Sequence, residues 1–117
     1  MLVKYKLGKE ATFFDYGSYI KDLRYLNRNL KNIVCIDVNM KNVNRTPNNA
    51  IILPRFDGDV NDKELLQLIQ FLKDLSKPSV KDIRNEIEKY GNDAPHIKYY
   101  KSVPKYKKLL SKEQRGE

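Results

Sequence analysis

The sequence predicts an α/β fold, with part of a parallel sheet, a β-hairpin ahead of it and helices behind it. Three observations predict it. Ile33-Val34-Cys35-Ile36 and Ala50-Ile51-Ile52-Leu53 are unbroken apolar runs, the pattern of strands covered on both faces in a parallel sheet. The stretch between them, Val38 to Asn49, is about long enough for a parallel crossover. Two later stretches repeat apolar residues at helical spacing. Strands, then alternating helix and strand, then helices is an α/β order. A chain of 117 residues is one domain's worth, with a thin core.

Taken in order, Leu2 to Leu7 alternates loosely and is predicted as a strand. Ala11 to Phe14 and Ser18 to Lys21 are β-rich and flank Asp15-Tyr16-Gly17, a hairpin signature. Leu23, Leu26 and Leu30, with Asp22 near the start, predict a helix of two turns. The strand Ile33–Ile36 ends at Asp37, and the one from Ala50 is closed by Pro54. The crossover is rich in Asn and contains Pro47, so any helix in it is short. Asn61 followed by Glu64 reads as a helix cap. Leu65, Leu68, Ile69, Leu72 and Leu75 then fall on one helical face, the expected core stripe. Pro78 stops that helix. Ser79 is the expected cap of a second helix, with stripe Val80, Ile83, Ile87 and Tyr90 and Gly91 at its end. Beyond Pro95, Tyr99, Tyr100, Val103, Tyr106, Leu109 and Leu110 form a weaker amphipathic pattern.

Charge is uneven. Of the net +8, residues His96 to Glu117 hold +5, from seven Lys/Arg against two acids. A solvated, solubilising segment and a contact with an acidic protein, an anionic membrane or nucleic acid are all consistent with that run. Lysines interleaved with Tyr99, Tyr100 and Tyr106 could stack on bases. Their spacing fits docking onto the domain better, so no nucleic acid is the expected partner. No run approaches the roughly 20 apolar residues of a membrane span, and Met1 to Lys4 has no apolar secretory h-region. One cysteine, Cys35, leaves no internal disulfide, and with one histidine, His96, makes zinc unexpected.

Ligands of open α/β sheets bind beyond the carboxyl ends of strands. Asp37 lies at such an end, where a carboxylate can hold Mg²⁺. Lys21 follows a strand and could neutralise a phosphoryl group. From spacing alone the preferred readings are plainer: a solvated lysine, and a carboxylate capping the next turn. No Asp-x-Asp pair follows an apolar strand, as covalent phosphoryl transfer would need. Asp57-Gly58-Asp59 has the spacing but reads as a turn before a helix. Cys35 is mid-strand and expected in the core. No glycine-rich phosphate loop occurs among five isolated glycines.

Tyr19 to Leu30 followed by Ile33 to Asp37, then Pro47 to Ile52, then Phe56 through Leu72, resembles the second half of the polymerase C-terminal-domain phosphatases of the haloacid dehalogenase superfamily. Val80-Lys81-Asp82-Ile83-Arg84 resembles a branch of that family found as receptor subunits of the mitochondrial inner-membrane presequence translocase. The likeness covers roughly Tyr5 to Tyr90. It implies a partial haloacid dehalogenase-like sheet over residues 1–90 and a basic extension over 91–117.

In the active phosphatases the positions equivalent to Lys21 and Asp37 steady the phosphoryl group and bind metal. The residue after the metal-binding acid is usually Asp or Asn, and here it is Val38, which cannot ligate. The family's nucleophile strand lies upstream of anything in this sequence. The resemblance therefore implies a non-catalytic portion of a longer product, with no catalytic residue and no metal or cofactor of its own. Mg²⁺ belongs only to the alternative, the second half of a Mg²⁺-dependent phosphoprotein phosphatase. The translocase branch implies presequence peptides and translocase subunits as partners, on the intermembrane-space side, and membrane attachment through an anchor N-terminal to this sequence. Presequences are basic and amphipathic, so the basic extension is not their seat. Asp57, Asp59, Asp62 and the hairpin are the expected binding residues.

Overall fold

The computed structural model describes residues 3–93. A short antiparallel hairpin joins β1 (Phe13–Asp15) to β2 (Ser18–Ile20), with Phe13 opposite Ile20 and Asp15 opposite Ser18. Its turn residues Tyr16 and Gly17 have φ of 47° and 76°. Two consecutive positive φ values match the twist of the flanking strands, and glycine takes one of them without a Cβ clash. A parallel pair follows, β3 (Cys35–Asp37) with β4 (Ala50–Ile52), in the register Cys35–Ala50, Ile36–Ile51, Asp37–Ile52. Two 3₁₀ turns, Met40–Val43 and Pro47–Asn49, make up the crossover. Two helices close the described chain, α1 (Glu64–Leu75) and α2 (Ile83–Asp93). The mixed α/β architecture is the one the sequence predicts.

β4 shows why its run is apolar without interruption. Side chains alternate across a strand, so Ile51 and Leu53 enter one core cluster, with Leu68, Leu75, Ile83 and Ile87, while Ala50 and Ile52 enter another, with Met40 and Val43. The first cluster is extended by Phe71 and Tyr90, whose rings stack at 4.0 Å and 7°. A buried amide stitches the sheet to what precedes it. The Asn49 Nδ2 group donates to the Leu30 carbonyl at 2.6 Å and the Ile33 carbonyl at 2.8 Å.

Several expectations need correction. Residues 3–8 form no strand; Val3, Tyr5 and Leu7 are all exposed, so the alternation has no face to bury. The expected helix from Leu23 to Leu30 is two 3₁₀ turns, Leu23–Leu26 and Leu30–Asn32, broken by Asn27 in the left-handed region at φ 54°. β3 is half-buried rather than covered on both faces, and Cys35 with it. Leu65 and Ile69 are exposed, so the α1 stripe that reaches the core is Leu68 and Leu75 with half-buried Phe71 and Leu72. Neither expected cap acts. Asp62, not Asn61, accepts the Glu64 N–H, and Asp82, not Ser79, accepts the Arg84 N–H. Aspartate side chains two residues before a free amide supply the shorter closure. Gly91 lies inside α2, which continues to Asp93. The basic segment and its Tyr99-to-Leu110 pattern lie outside the described residues.

Candidate functional site

The hairpin delivers Lys21 to the end of the parallel pair. Ile20, the last residue of β2, is buried, and the Lys21 N–H donates to the Asn42 carbonyl of the crossover at 2.7 Å. Asp15 of β1 pairs with Arg45, also of the crossover. Hairpin and crossover are thus clamped at two points, and Lys21 Nζ meets Asp37 Oδ2 at 2.8 Å.

Asp37 sits at the carboxyl end of β3 with a side chain only 7% exposed, against 49% for Lys21. Its Oδ1 accepts the Val38 and Asn39 N–H groups at 2.7 and 3.0 Å. Its backbone carbonyl takes the Leu53 N–H at 2.9 Å and extends the ladder past β4. Burial pushes the carboxyl pKa up, but the hydrogen bond from Lys21 and those from the two amides outweigh it and hold it below the ordinary value. The same bond raises Lys21, against its partial burial. Burial pushes the Cys35 thiol up, and the Lys21 charge offsets only part of that; a raised thiol is a poor nucleophile at neutral pH.

The structure therefore brings Lys21 and Asp37 together as an ion pair in which the carboxylate also caps the following turn. That arrangement does not fit Mg²⁺. Both Asp37 oxygens are engaged by donors, the adjacent Val38 side chain offers no ligand atom, and among the described residues no group of three or more His, Cys, Asp or Glu could hold a metal ion.

A second feature adjoins this pair through Val38. A cleft of about 340 Å³ opens between the end of the sheet and the start of α1, lined by Val38, Leu53, Pro54, Phe56, Leu65 and Leu66, with Asp62 and Glu64 as its acids. Val38, Phe56, Leu65 and Leu66 are each more than half exposed. Of the expected binding residues only Asp62 lines this cleft. Asp57 and Asp59 lie on the exposed loop leading to it, where each accepts the amide two residues on, and the hairpin is not among the lining elements. Glu64, Leu65, Leu66 and Phe56 escaped the sequence reading. The available signal was that α1 carries more apolar residues than one core stripe needs.

The sequence profile of the NLI interacting factor-like phosphatase family matches residues 1–84. The chain belongs to this family. Among curated family relatives, it is 42% identical over 95 residues to the Gibberella zeae protein named mitochondrial import inner membrane translocase subunit TIM50, a match covering 80% of this chain and 18% of that one. The protein of the same name from Emericella nidulans is 35% identical over 118 residues, covering 97% of this chain and 22% of the relative. In Drosophila melanogaster, subunit TIM50-B is 30% identical over 99 residues, covering 85% and 24%. The chain thus spans about a fifth of the length of these family relatives.

Proposed function

We propose that this chain is the receiving portion of a mitochondrial inner-membrane protein-import subunit, facing the intermembrane space, and that it holds presequences without catalysing a reaction. Residues 1–90 are taken as the second half of a phosphatase-like domain and 91–117 as its basic extension. The observation that carries the reading is the cleft beside α1. Its walls are apolar and its acids are Asp62 and Glu64, the surface a basic amphipathic helix requires. The translocase names of the relatives supply the context. The test is titration of a fluorescent presequence peptide into the chain. Binding should weaken with salt, as an ion-pairing contribution demands, and should fall in Leu65→Asp and Leu66→Asp, where the substituted side chains are exposed and the fold survives. Equal affinity for these variants and the parent refutes the reading.

A second reading, the later half of a Mg²⁺-dependent phosphatase, is favoured by the Lys21–Asp37 contact alone. It requires magnesium-stimulated release of phosphate from a phosphopeptide, lost in Lys21→Met. The first reading expects no such release from this chain.

A further inference from the structure

The segment from Pro54 to Val60 is exposed at every residue. Its hydrogen bonds among the described residues stay local. Asp57 Oδ1 accepts the Asp59 N–H at 3.0 Å, Asp59 Oδ1 the Asn61 N–H at 2.9 Å, and the Asp59 carbonyl the Asp62 N–H at 3.1 Å. Gly58 makes no hydrogen bond among the described residues. Its φ of 92° lies in the left-handed region that glycine enters freely. A Cβ built on it would meet nothing within 4 Å. Asp57 is the one aspartate in the sequence followed by glycine, and no asparagine is. Asp22, Asp37 and Asp82 differ on every count. Each is held by a cation, Arg24, Lys21 or Arg84, and each precedes a bulky residue, Leu23, Val38 or Ile83.

An aspartate carboxyl carbon and the next backbone nitrogen can join into a five-membered ring. A side chain on the following residue obstructs that closure, and a packed or hydrogen-bonded backbone prevents it. Neither obstacle exists at Gly58. We propose that Asp57–Gly58 is a site of spontaneous aspartyl isomerisation, and that its product is a substrate for a carboxyl methyltransferase that uses S-adenosylmethionine. The Gly58 nitrogen bonds to Asp57 Cγ. The Cγ–OH bond breaks, and the hydroxyl leaves with the amide proton as water. The ring then takes up one water at the former backbone carbonyl. Its bond to nitrogen breaks, which leaves Gly58 attached through Cγ and frees a new carboxylate. Nothing is oxidised or reduced, and the mass is unchanged. The methyltransferase moves a methyl group from the sulfonium to that carboxylate and leaves a thioether. The β-linkage inserts Asp57 Cβ into the main chain between Phe56 and Asp62, both of which line the cleft. Weaker peptide binding by the isomerised chain rests on the functional reading above; the isomerisation rests on the loop alone.

The experiment ages the full chain in H₂¹⁸O at neutral pH, folded and in urea. An L-isoaspartyl methyltransferase with labelled S-adenosylmethionine counts the product, and electron-transfer fragmentation locates it. The expected result is methyl incorporation and one ¹⁸O at Asp57, both lost in Asp57→Ser. Asp57→Asn should form the same product faster, with release of ammonia. A loop that opens at almost no free-energy cost gives folded and urea-unfolded chains rates within about threefold of each other. Product in urea but none in the folded chain overturns the proposal, because the fold then protects the site. Product spread evenly over Asp15, Asp59 and Asp74, or undiminished in Asp57→Ser, overturns it as well. Equal peptide affinity of the isomerised and parent chains overturns the link to the cleft. If the parent binds no peptide while Asp57 isomerises, the import reading fails and the modification site stands.

Discussion

Asn49 braces the parallel pair at one end, and its loss has a calculable effect. The side chain is 1% exposed and donates both amide hydrogens to carbonyls of the segment entering β3, Leu30 at 2.6 Å and Ile33 at 2.8 Å. A net hydrogen bond is worth about 0.5–1.5 kcal/mol, and a buried acceptor left unpaired costs more than that. Asn49→Ala removes two bonds and strands the Ile33 carbonyl, while the Leu30 carbonyl keeps the Ile33 N–H at 3.4 Å, so it should destabilise the chain by about 2–4 kcal/mol, read as a shift in the urea midpoint. Asn49→Asp keeps the shape but turns an electron pair toward those carbonyls. A protonated carboxyl there can still donate one bond, whereas the carboxylate can donate none, so the folded-state pKa is raised above the unfolded value of about 3.9. For an acid raised on folding, the penalty is absent below the unfolded pKa and grows as pH rises from there toward the folded pKa. Asn49→Asp should therefore lie close to Asn49→Ala, or above it, at pH 3.5 and well below it at pH 7. A loss under about 0.5 kcal/mol in Asn49→Ala, or a difference between the two variants that does not change with pH, would refute the assignment of these bonds.

Other expectations follow from the same structure. Leu68→Ala, at a position 1% exposed, should cost about 2–5 kcal/mol, whereas Leu65→Ala, at 68% exposure, should stay within about 0.5 kcal/mol and weaken peptide binding instead. The hydrogen bond from Arg84 holds the Asp82 carboxyl down at about 2; in Arg84→Met it should return toward 3.8 in an NMR titration. Because Asp22, Asp37 and Asp82 are all lowered on folding, their contribution is complete above the unfolded carboxylate range. It should be lost as pH falls below about 4 toward 2, which acid melts will show. Lys21→Met should raise the Asp37 pKa but cost no more than about 1 kcal/mol, since half of the lysine is in water and the two amides still hold the carboxylate.

What could be read from the sequence was governed by burial. β4 was legible because both of its faces meet a core, which forces every position to be apolar. The hairpin was legible because its turn needs positive φ, and Gly17 advertises it. Where the chain is held by single side-chain-to-backbone bonds, periodicity has nothing to report. Asp82 replaces Ser79 as a cap for that reason, and Asn27 interrupts the Leu23–Leu30 pattern by entering a conformation that leucine spacing cannot reveal. Helical spacing places Leu65 and Ile69 in the core because it counts apolar residues without knowing how many the core can accept, and both are exposed. The cleft was invisible for the same reason: it is the surplus.

The same distinction bears on how the site is held. Two three-residue parallel strands cannot support themselves through ladder bonds alone. β4 is fixed by burial on both faces, whereas half-buried β3 depends on contacts at its two ends. At the near end the Asn49 amide grips the Leu30 and Ile33 carbonyls; at the far end Asp37 takes the Val38 and Asn39 amides and Lys21. Asp37 therefore has structural work whether or not it touches a phosphate. The presence of this lysine–aspartate pair is accordingly weak evidence for turnover by this chain. The same carboxylate sets the path of Val38, which leaves the strand as one wall of the cleft. Disrupting Asp37 should thus disturb peptide binding through the position of Val38, with no chemistry involved. A change in affinity in Asp37→Ala that Lys21→Met does not reproduce would separate this positioning role from a role for the ion pair itself.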